Sequence, residues 1–462
     1  MARTDFVSLH THSTYSYGDG YGQPSDYVAR ALELNQKAVC LTEHGNVSSH
    51  VKLERAANAA RDEGYDFKGM YGCELYTRDV PSKHKYHLCA IAMDEVGYRS
   101  LLRVVSRSWD NFYYFPTTTS KMLSENNAGL IILSGCLGSA IACRSIGGKD
   151  IEPSSAGGLA EAKRIALWMR ERFGDRYYLE VQAFPELPNA CKLNLLLEQV
   201  SADTGIPLVV TLDAHYPRET NQQMHSLVHA IARGGAAGKK TVDQQEGDWN
   251  YNVPMTLFSR QDVGRRLLAT GISRENVTKA LDATVEIASR CNVTLPKTDL
   301  VRFPLPDGYS NKVDLLWDWL RVGWRYRGFT RLSKSEQDAA LERLKHEVTM
   351  IDSKDFVDYF LMLSDVITWA KNSEILVGPA RGSSAASLVC YLLRITEVNP
   401  MRFPQMYFER FIDPNRVDVP DVDLDFDDER RDEIRKYLTS KFGVGHVGNI
   451  GTYTAYRGKN SV

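Results

Sequence analysis

Three aspartates spaced two apart, Asp421, Asp423 and Asp425, alternate with Val422, Leu424 and Phe426. A period of two is that of a β-strand, so the carboxylates would share one face and the apolar side chains the other. Same-face neighbours lie roughly 7 Å apart, where two carboxylates repel by about 2 kcal/mol at an effective dielectric near 20. A divalent cation removes that cost, and carboxylates holding two ions about 4 Å apart are a platform for in-line phosphoryl transfer. The run also fits a solvated edge strand, because Asp427, Asp428 and Glu429 continue the acidity.

Upstream, Val377-Gly378-Pro379-Ala380-Arg381-Gly382-Ser383-Ser384-Ala385-Ala386-Ser387 is a turn of small residues that runs into Leu388-Val389-Cys390-Tyr391-Leu392-Leu393. The pattern predicts a loop opening a buried helix, whose free N–H groups and positive dipole end suit a phosphate. Gly382 permits close backbone approach, Ser383 offers a hydroxyl and Arg381 a fork of donors. Such a turn is a weak signal by itself. Followed by Asp-x-Asp-x-Asp, it supplies the phosphate cradle that a nucleotidyl transferase needs beside its metal platform.

A second constellation lies in the first half. His10, His12, Asp19, His44, Glu74, His87, Cys136, Asp213 and His215 are nine groups able to bind divalent metals. A lone histidine is more often a satisfied structural residue. The pairs His10-x-His12 and Asp213-x-His215 differ, because that spacing on a strand aims both side chains at one point. A cluster of two or three ions there could activate water and neutralise a phosphate ester. His225 and His229, one helical turn apart, show no carboxylate nearby in the sequence and read as structural.

The elements that must position these groups alternate between strand and helix. Phe6 to His12 reads as a first strand. Residues 25–36 read as a helix with Ser25 at its N-cap, and Ala38-Val39-Cys40-Leu41 as a buried strand running into Thr42-Glu43-His44. A helix over 48–63 precedes a strand that ends at 72–76 and strands at 86–92, 130–136, 178–181 and 208–215. Metal-capable residues recur where strands end, as they do in a β/α barrel. Gly234 to Lys240 reads as an exposed loop with Lys239 and Lys240 at a solvated tip. Ala280 to Arg290 is an amphipathic helix leaving the barrel. Trp317, Trp319 and Trp324 sit on a helical stretch as core residues, and 356–371 is the apolar helix before the small-residue turn.

On these motifs the chain resembles a known family. From Gly378 to Phe426, including Phe408-Glu409-Arg410-Phe411 and Pro420-Asp421-x-Asp423-x-Asp425-Phe426, it is similar to the palm of the C-family polymerases, the bacterial replicative DNA polymerase III alpha subunits. In that family the second and third aspartates are catalytic, which maps to Asp423 and Asp425. Ala380, Ser384 and Ala386 depart from the family's more glycine-rich loop. The nine donors match the metal motif of the polymerase-and-histidinol-phosphatase (PHP) domain that opens such subunits, so the likeness runs from His10 to about Gly451. Glu43 stands where aspartate is common, and Gly18 where a larger apolar residue precedes Asp19.

The resemblance implies an α/β chain in three parts. Residues 1–290 would be a distorted PHP-type β/α barrel, 291–430 a partial nucleotidyltransferase palm of the polymerase beta-like kind, and 431–462 the start of a thumb. It implies Mg2+ at Asp423 and Asp425, with Arg381, Gly382 and Ser383 on nucleotide phosphates. It implies Zn2+ or Mn2+ on the nine donors, which in members retaining the full set form a three-metal 3′–5′ exonuclease. Implied partners are primer-template DNA, deoxynucleoside triphosphates, other replisome subunits, and a second polypeptide or segment carrying the fingers and a third catalytic aspartate. The leading expectation is the N-terminal part of a DNA-directed DNA polymerase, whether split, intein-interrupted or truncated. A PHP phosphoesterase or exonuclease with an inert palm remnant, and a non-catalytic replication scaffold, stay open beside it.

Composition narrows the classes further. A net charge of -2 gives no global basicity, so any DNA contact must come from local patches. Eight cysteines without a CxxC pair point to a reducing compartment rather than a disulfide framework. No apolar run approaches the roughly 20 residues that cross a membrane, and the start of the chain lacks an apolar signal region. The expectation is a soluble, cytoplasmic protein.

Overall fold

Alternation sorts the strand residues of the first half between two cores. The computed structural model describes residues 5–78, 84–147, 157–237, 253–296, 300–415 and 419–452, and clusters into two units that divide between Pro296 and Lys297. In the first unit β1 (Ala38–His44), β2 (Lys68–Thr77), β3 (Tyr86–Ala92), β4 (Leu130–Leu133), β5 (Tyr177–Gln182) and β6 (Leu208–Thr211) form one sheet in chain order. Ala38, Cys40, Met70, Cys89, Ile91, Ile131, Leu133, Tyr178 and Val209 pack together on its inner face. The residues between them, such as Val39, Leu41, Tyr71, Ala90, Ile132 and Val210, pack with the helices on the outer face. Burial on both faces is why these segments read as near-continuous apolar runs.

The sheet is mixed. β1–β2, β4–β5 and β5–β6 are parallel, while β3 runs antiparallel to both of its neighbours. Phe6 to His12 makes isolated bridges at Ser8–Val39 and Thr11–Ala214 rather than the expected strand. It keeps bonds to β1 at Ser8 and Thr11 and adds bonds with Ala214 at His10 and His12, without a continuous ladder. Cys40 N–H donates to Ser8 O at 2.9 Å, and His12 N–H donates to Ala214 O at 2.7 Å. The first strand and the chain leaving the last are joined through this segment, and the sheet curls round on itself.

Three helical expectations change. The helix Pro24–Glu33 starts on its proline, with Gln23 rather than Ser25 at the N-cap; Asp26 accepts the Gln23 N–H at 2.8 Å. The helix Gln222–Ala237 continues through the segment expected to loop at Gly234, and Lys239 and Lys240 lie outside the described residues. The exit helix is longer than expected, Arg274–Arg290, and its end packs Ile287 and Ala288 onto the inner core.

The second unit is mainly helical. Helices Lys312–Tyr326, Lys334–Ser353 and Val357–Asn372 enclose Leu316, Leu320, Leu344, Ile351, Phe360 and Val389, with Trp317, Trp319 and Trp324 partly buried at the edge. The helix Arg431–Phe442 follows the aspartate run. The expected strand over Val419–Phe426 reduces to one antiparallel bridge, Val377–Phe426. Pairing stops past Gly378, whose N–H donates to Asp425 O at 2.9 Å, because the Pro379 carbonyl accepts from Glu397 N–H at 2.5 Å instead. The alternation survives without the ladder, because Val422, Leu424 and Phe426 pack on the core. No helix among the described residues is long and apolar enough to cross a membrane.

Candidate metal centre

The inner face of each strand turns from apolar to polar at one end of the barrel. Glu74 follows Met70 and Gly72 on that face, His44 follows Cys40 and Thr42, and register sets His44 beside Glu74. Antiparallel β3 brings His87 to the same end from its own start, next to Tyr76. Glu74, 1% exposed, is the hub: its Oε2 lies 2.6 Å from His44 Nδ1 and its Oε1 2.8 Å from His87 Nδ1. Cys136 Sγ stands 3.7 Å from the same Oε1 and 3.4 Å from His87 Nδ1.

Asp213 faces Glu74 across His10 and His12. Its Oδ1 lies 3.4 Å from Nε2 of each. To reach them Asp213 takes φ +43°, a left-handed conformation that costs a non-glycine residue about 1 kcal/mol or more. His215 donates its Nδ1 proton to the Asp213 carbonyl at 2.8 Å, leaving Nε2 3.5 Å from Asp19. Donor atoms of His12, His44 and His215, of His10, His12 and Asp213, and of Glu74, His87 and Cys136 each fall within 4.8 Å of one another. With Asp19 2.9 Å from His44 Nε2, all nine predicted donors converge.

Supporting groups hold the donors from behind. Glu180 accepts from His10 Nδ1 at 2.7 Å and from Thr211 at 2.6 Å. Ser16 touches His12 Nδ1 at 3.0 Å and donates to Glu43 at 2.6 Å. These contacts turn Nε2 of His10 and of His12 inward, where both are buried without a hydrogen-bond partner. Imidazoles backed by a carboxylate, or by a hydroxyl that a carboxylate holds, with orphaned inner nitrogens are what a cation requires, so the residues fit metal binding.

The electrostatics point the same way. Burial opposes charge on His10, but Asp213 and Glu180 outweigh it and lift its pKa to about 10. Burial likewise opposes charge on His44, and Glu74 and Asp19 lift it to about 10. Burial, with His44 and His215 close by, lowers His12 to about 3. Glu74 stays ionised against its burial because His87 and His44 face it. Burial pushes the Cys136 thiol well up, so a coordinating cation would have to displace its proton.

Two histidines read as structural lie against the cluster. His229 Nε2 hydrogen-bonds Asp19 Oδ1, and Asp19, His225 and His229 bring donor atoms within 4.8 Å of one another. The carboxylate partner that the sequence did not reveal lies 210 residues away. Glu180 was missed as well, though a carboxylate inside the apolar run Tyr178-Leu179-Glu180-Val181 was a readable signal.

In the second unit Asp423 and Asp425 meet through Arg381. Its Nη2 lies 3.1 Å from Asp423 Oδ1 and its Nε 3.3 Å from Asp425 Oδ2, so the fork expected to face phosphate faces these carboxylates. Gly382, at φ +70°, has the Asp423 carboxylate 3.2 Å from where a Cβ would stand. Ser383 and Asp421 are exposed, and Asp421 takes no part in the Arg381 contact. The expected free helix start is not there. Gly382–Ala386 is a 3-10 turn, and the helix Leu388–Leu392 has its N–H groups taken by buried Glu347, which accepts from Leu388 at 3.0 Å and Val389 at 2.9 Å.

Residues 8–184 match the PHP domain family, and residues 319–462 match the bacterial DNA polymerase III alpha NTPase domain. The DNA polymerase III subunit alpha of Treponema pallidum is 33% identical over 100% of this chain and 38% of its own length. Its counterpart in Borreliella burgdorferi is 31% identical over 99% of this chain and 38% of its own, and that of Thermus aquaticus 30% over 99% and 41%. The chain therefore spans about two fifths of the length of these relatives. Over its own full length, it belongs to the family of DNA polymerase III alpha subunits.

Proposed function

We propose that the chain is the N-terminal part of a replicative DNA-directed DNA polymerase whose barrel is a metal-dependent 3′–5′ exonuclease. The observation that carries the exonuclease reading is the convergence of nine donors on Glu74 and Asp213, with two buried imidazole nitrogens left unpartnered. Zinc or manganese ions, when bound, would neutralise a phosphodiester and activate a water. Glu74 and Asp213 offer carboxylates from opposite sides, Glu180 and Ser16 fix the imidazoles of His10 and His12, and Glu43 fixes Ser16. Lys85, its Nζ 3.5 Å over the Tyr76 ring, adds positive charge beside His87 for a phosphate group.

A single or frayed strand suits the surroundings. Trp109 and Phe112 stack with centroids 5.6 Å apart and are about half exposed, while Tyr113 and Tyr114 expose their rings beside them. The Trp109 indole donates to Gly45 O at 2.9 Å, directly after His44. Exposed rings beside a metal-binding site would grip unpaired bases without regard to sequence. In this reading primer-template DNA, nucleotides bound with Mg2+ at Asp423 and Asp425, and other replisome subunits are partners of the whole subunit.

Degradation of a 5′-labelled single strand by the zinc- or manganese-loaded chain tests the barrel. His12→Ala should slow it at least tenfold with the circular dichroism unchanged. Equal rates for the two proteins would leave the barrel a scaffold. A second reading, in which the barrel acts and the palm is inert, is favoured by one observation: Arg381 already pairs with both Asp423 and Asp425.

A further inference from the structure

Asp19 divides its two oxygens between two sets of histidines. Oδ2 faces His44 Nε2 at 2.9 Å and His215 Nε2 at 3.5 Å, while Oδ1 faces His229 on the other side. His225 stands next to His229 with ring centroids 4.5 Å apart, is 1% exposed, and has no hydrogen-bond partner at either ring nitrogen. Nothing in the nine-donor motif calls for these two rings. Gly18 explains how they arrive: it sits at φ +76°, and a Cβ there would be 2.8 Å from Ala232 Cβ. The missing side chain lets the helix Gln222–Ala237 approach the Asp19 turn, and the family's larger residue at this position would push it away.

We propose that Asp19, His225 and His229 form a further cation site, joined to the nine-donor cluster through a bridging Asp19 carboxylate. Two imidazoles and one carboxylate are a zinc-type donor set that leaves a fourth position for water or a phosphate oxygen. The site extends the metal-dependent reading of the barrel and lies on the Asp19 side of it. An imidazole that only packed or positioned a neighbour would gain by hydrogen bonding; a fully buried ring with both nitrogens unsatisfied is costly unless something binds it.

Elemental analysis of the full chain loaded with zinc and desalted gives the first test. His225→Gln and the double variant His225→Ala/His229→Ala should each hold about one equivalent less than the unaltered chain, and Gly18→Leu should do the same. Anomalous scattering from zinc-soaked crystals of the unaltered chain needs no variant to fold. It should place an ion about 2.0–2.2 Å from donor atoms of Asp19, His225 and His229. Ions at Glu74 and Asp213 with none at His225, or unchanged zinc content in the variants, would overturn this site while leaving the main cluster intact. No ion at either place would overturn both.

Discussion

Nδ1 of His10 and Oε1 of Glu180 lie 2.7 Å apart, and both side chains are wholly buried. The pair decides which nitrogen of His10 points at the cluster. With Nδ1 committed to the carboxylate, Nε2 is left to face Glu74 and Asp213. Glu180→Gln keeps the shape and removes the charge. Apparent zinc affinity, measured by chelator competition, should fall about 10- to 100-fold, because outer carboxylates raise the basicity of a ligating imidazole. The number of ions held at saturating zinc should not change. An unaltered affinity would mean that Glu180 serves only the packing around Gly135 and Thr211.

The exposed rings make a prediction of a different kind. Phe112→Ala/Tyr114→Ala leaves every donor in place, and both side chains are more than half exposed. Base–aromatic stacking contributes about 1–3 kcal/mol per base, so KM for a single-stranded DNA substrate should rise at least fivefold. The maximal rate should stay within twofold. A loss confined to kcat would place these residues in the folding of the site rather than in strand binding.

Much of this was legible because alternation is a physical constraint. A strand buried on both faces can carry Ala38, Cys40 and His44 inward only with Val39 and Leu41 outward, and such runs are visible in the sequence. The nine donors were visible as metal-capable residues, most of them near strand ends and Asp19 on a turn. The reversal of β3 was not, since nothing in Tyr86–Ala92 encodes the direction of its neighbours. Nor were the contacts that close over long separations. Asp19 meets His229 only because a helix approaches over Gly18, and the phosphate-ready helix start was pre-empted by Glu347, some 41 residues before Leu388 and invisible as a cap in the sequence. A buried acid with Arg343 at 2.7 Å and three donors around Ser387 to Val389 is the stabler use of that dipole end.

Part of the acid sensitivity should arise away from the metal donors, at His50. Its Nε2 donates to Gly72 O at 3.0 Å and its Nδ1 meets the Tyr98 hydroxyl at 3.3 Å. Burial lowers its pKa to about 4, against the support of the Gly72 carbonyl. An unfolded imidazole titrates near 6.5, so between those values the unfolded chain binds the extra proton and is favoured. The contribution of His50 is therefore complete above about pH 6.5 and is lost as the pH falls towards 4, by on the order of 3 kcal/mol in all. Thermal unfolding of His50→Gln at pH 7.5 and 4.5 should show a smaller drop than the unaltered chain. Parallel drops would assign the acid lability to other groups.

This chain by itself should not extend a primer. Asp423 and Asp425 are bridged by Arg381, and among the described residues no third carboxylate, histidine or cysteine joins them in a group tight enough to hold a metal. Phosphoryl transfer of this kind rests on positioning and charge neutralisation, with two ions held by carboxylates from more than one element. Each contribution of about 1.4 kcal/mol missing from the transition state is tenfold in rate, so several missing together remove detectable turnover. We expect residues 1–462 with Mg2+ and all four deoxynucleoside triphosphates to leave a labelled primer at its starting length. A second polypeptide supplying the rest of a relative's length should restore extension, and Asp423→Ala or Asp425→Ala should abolish it again. Extension by residues 1–462 alone, lost in Asp425→Ala, would show that the two aspartates and Arg381 already suffice.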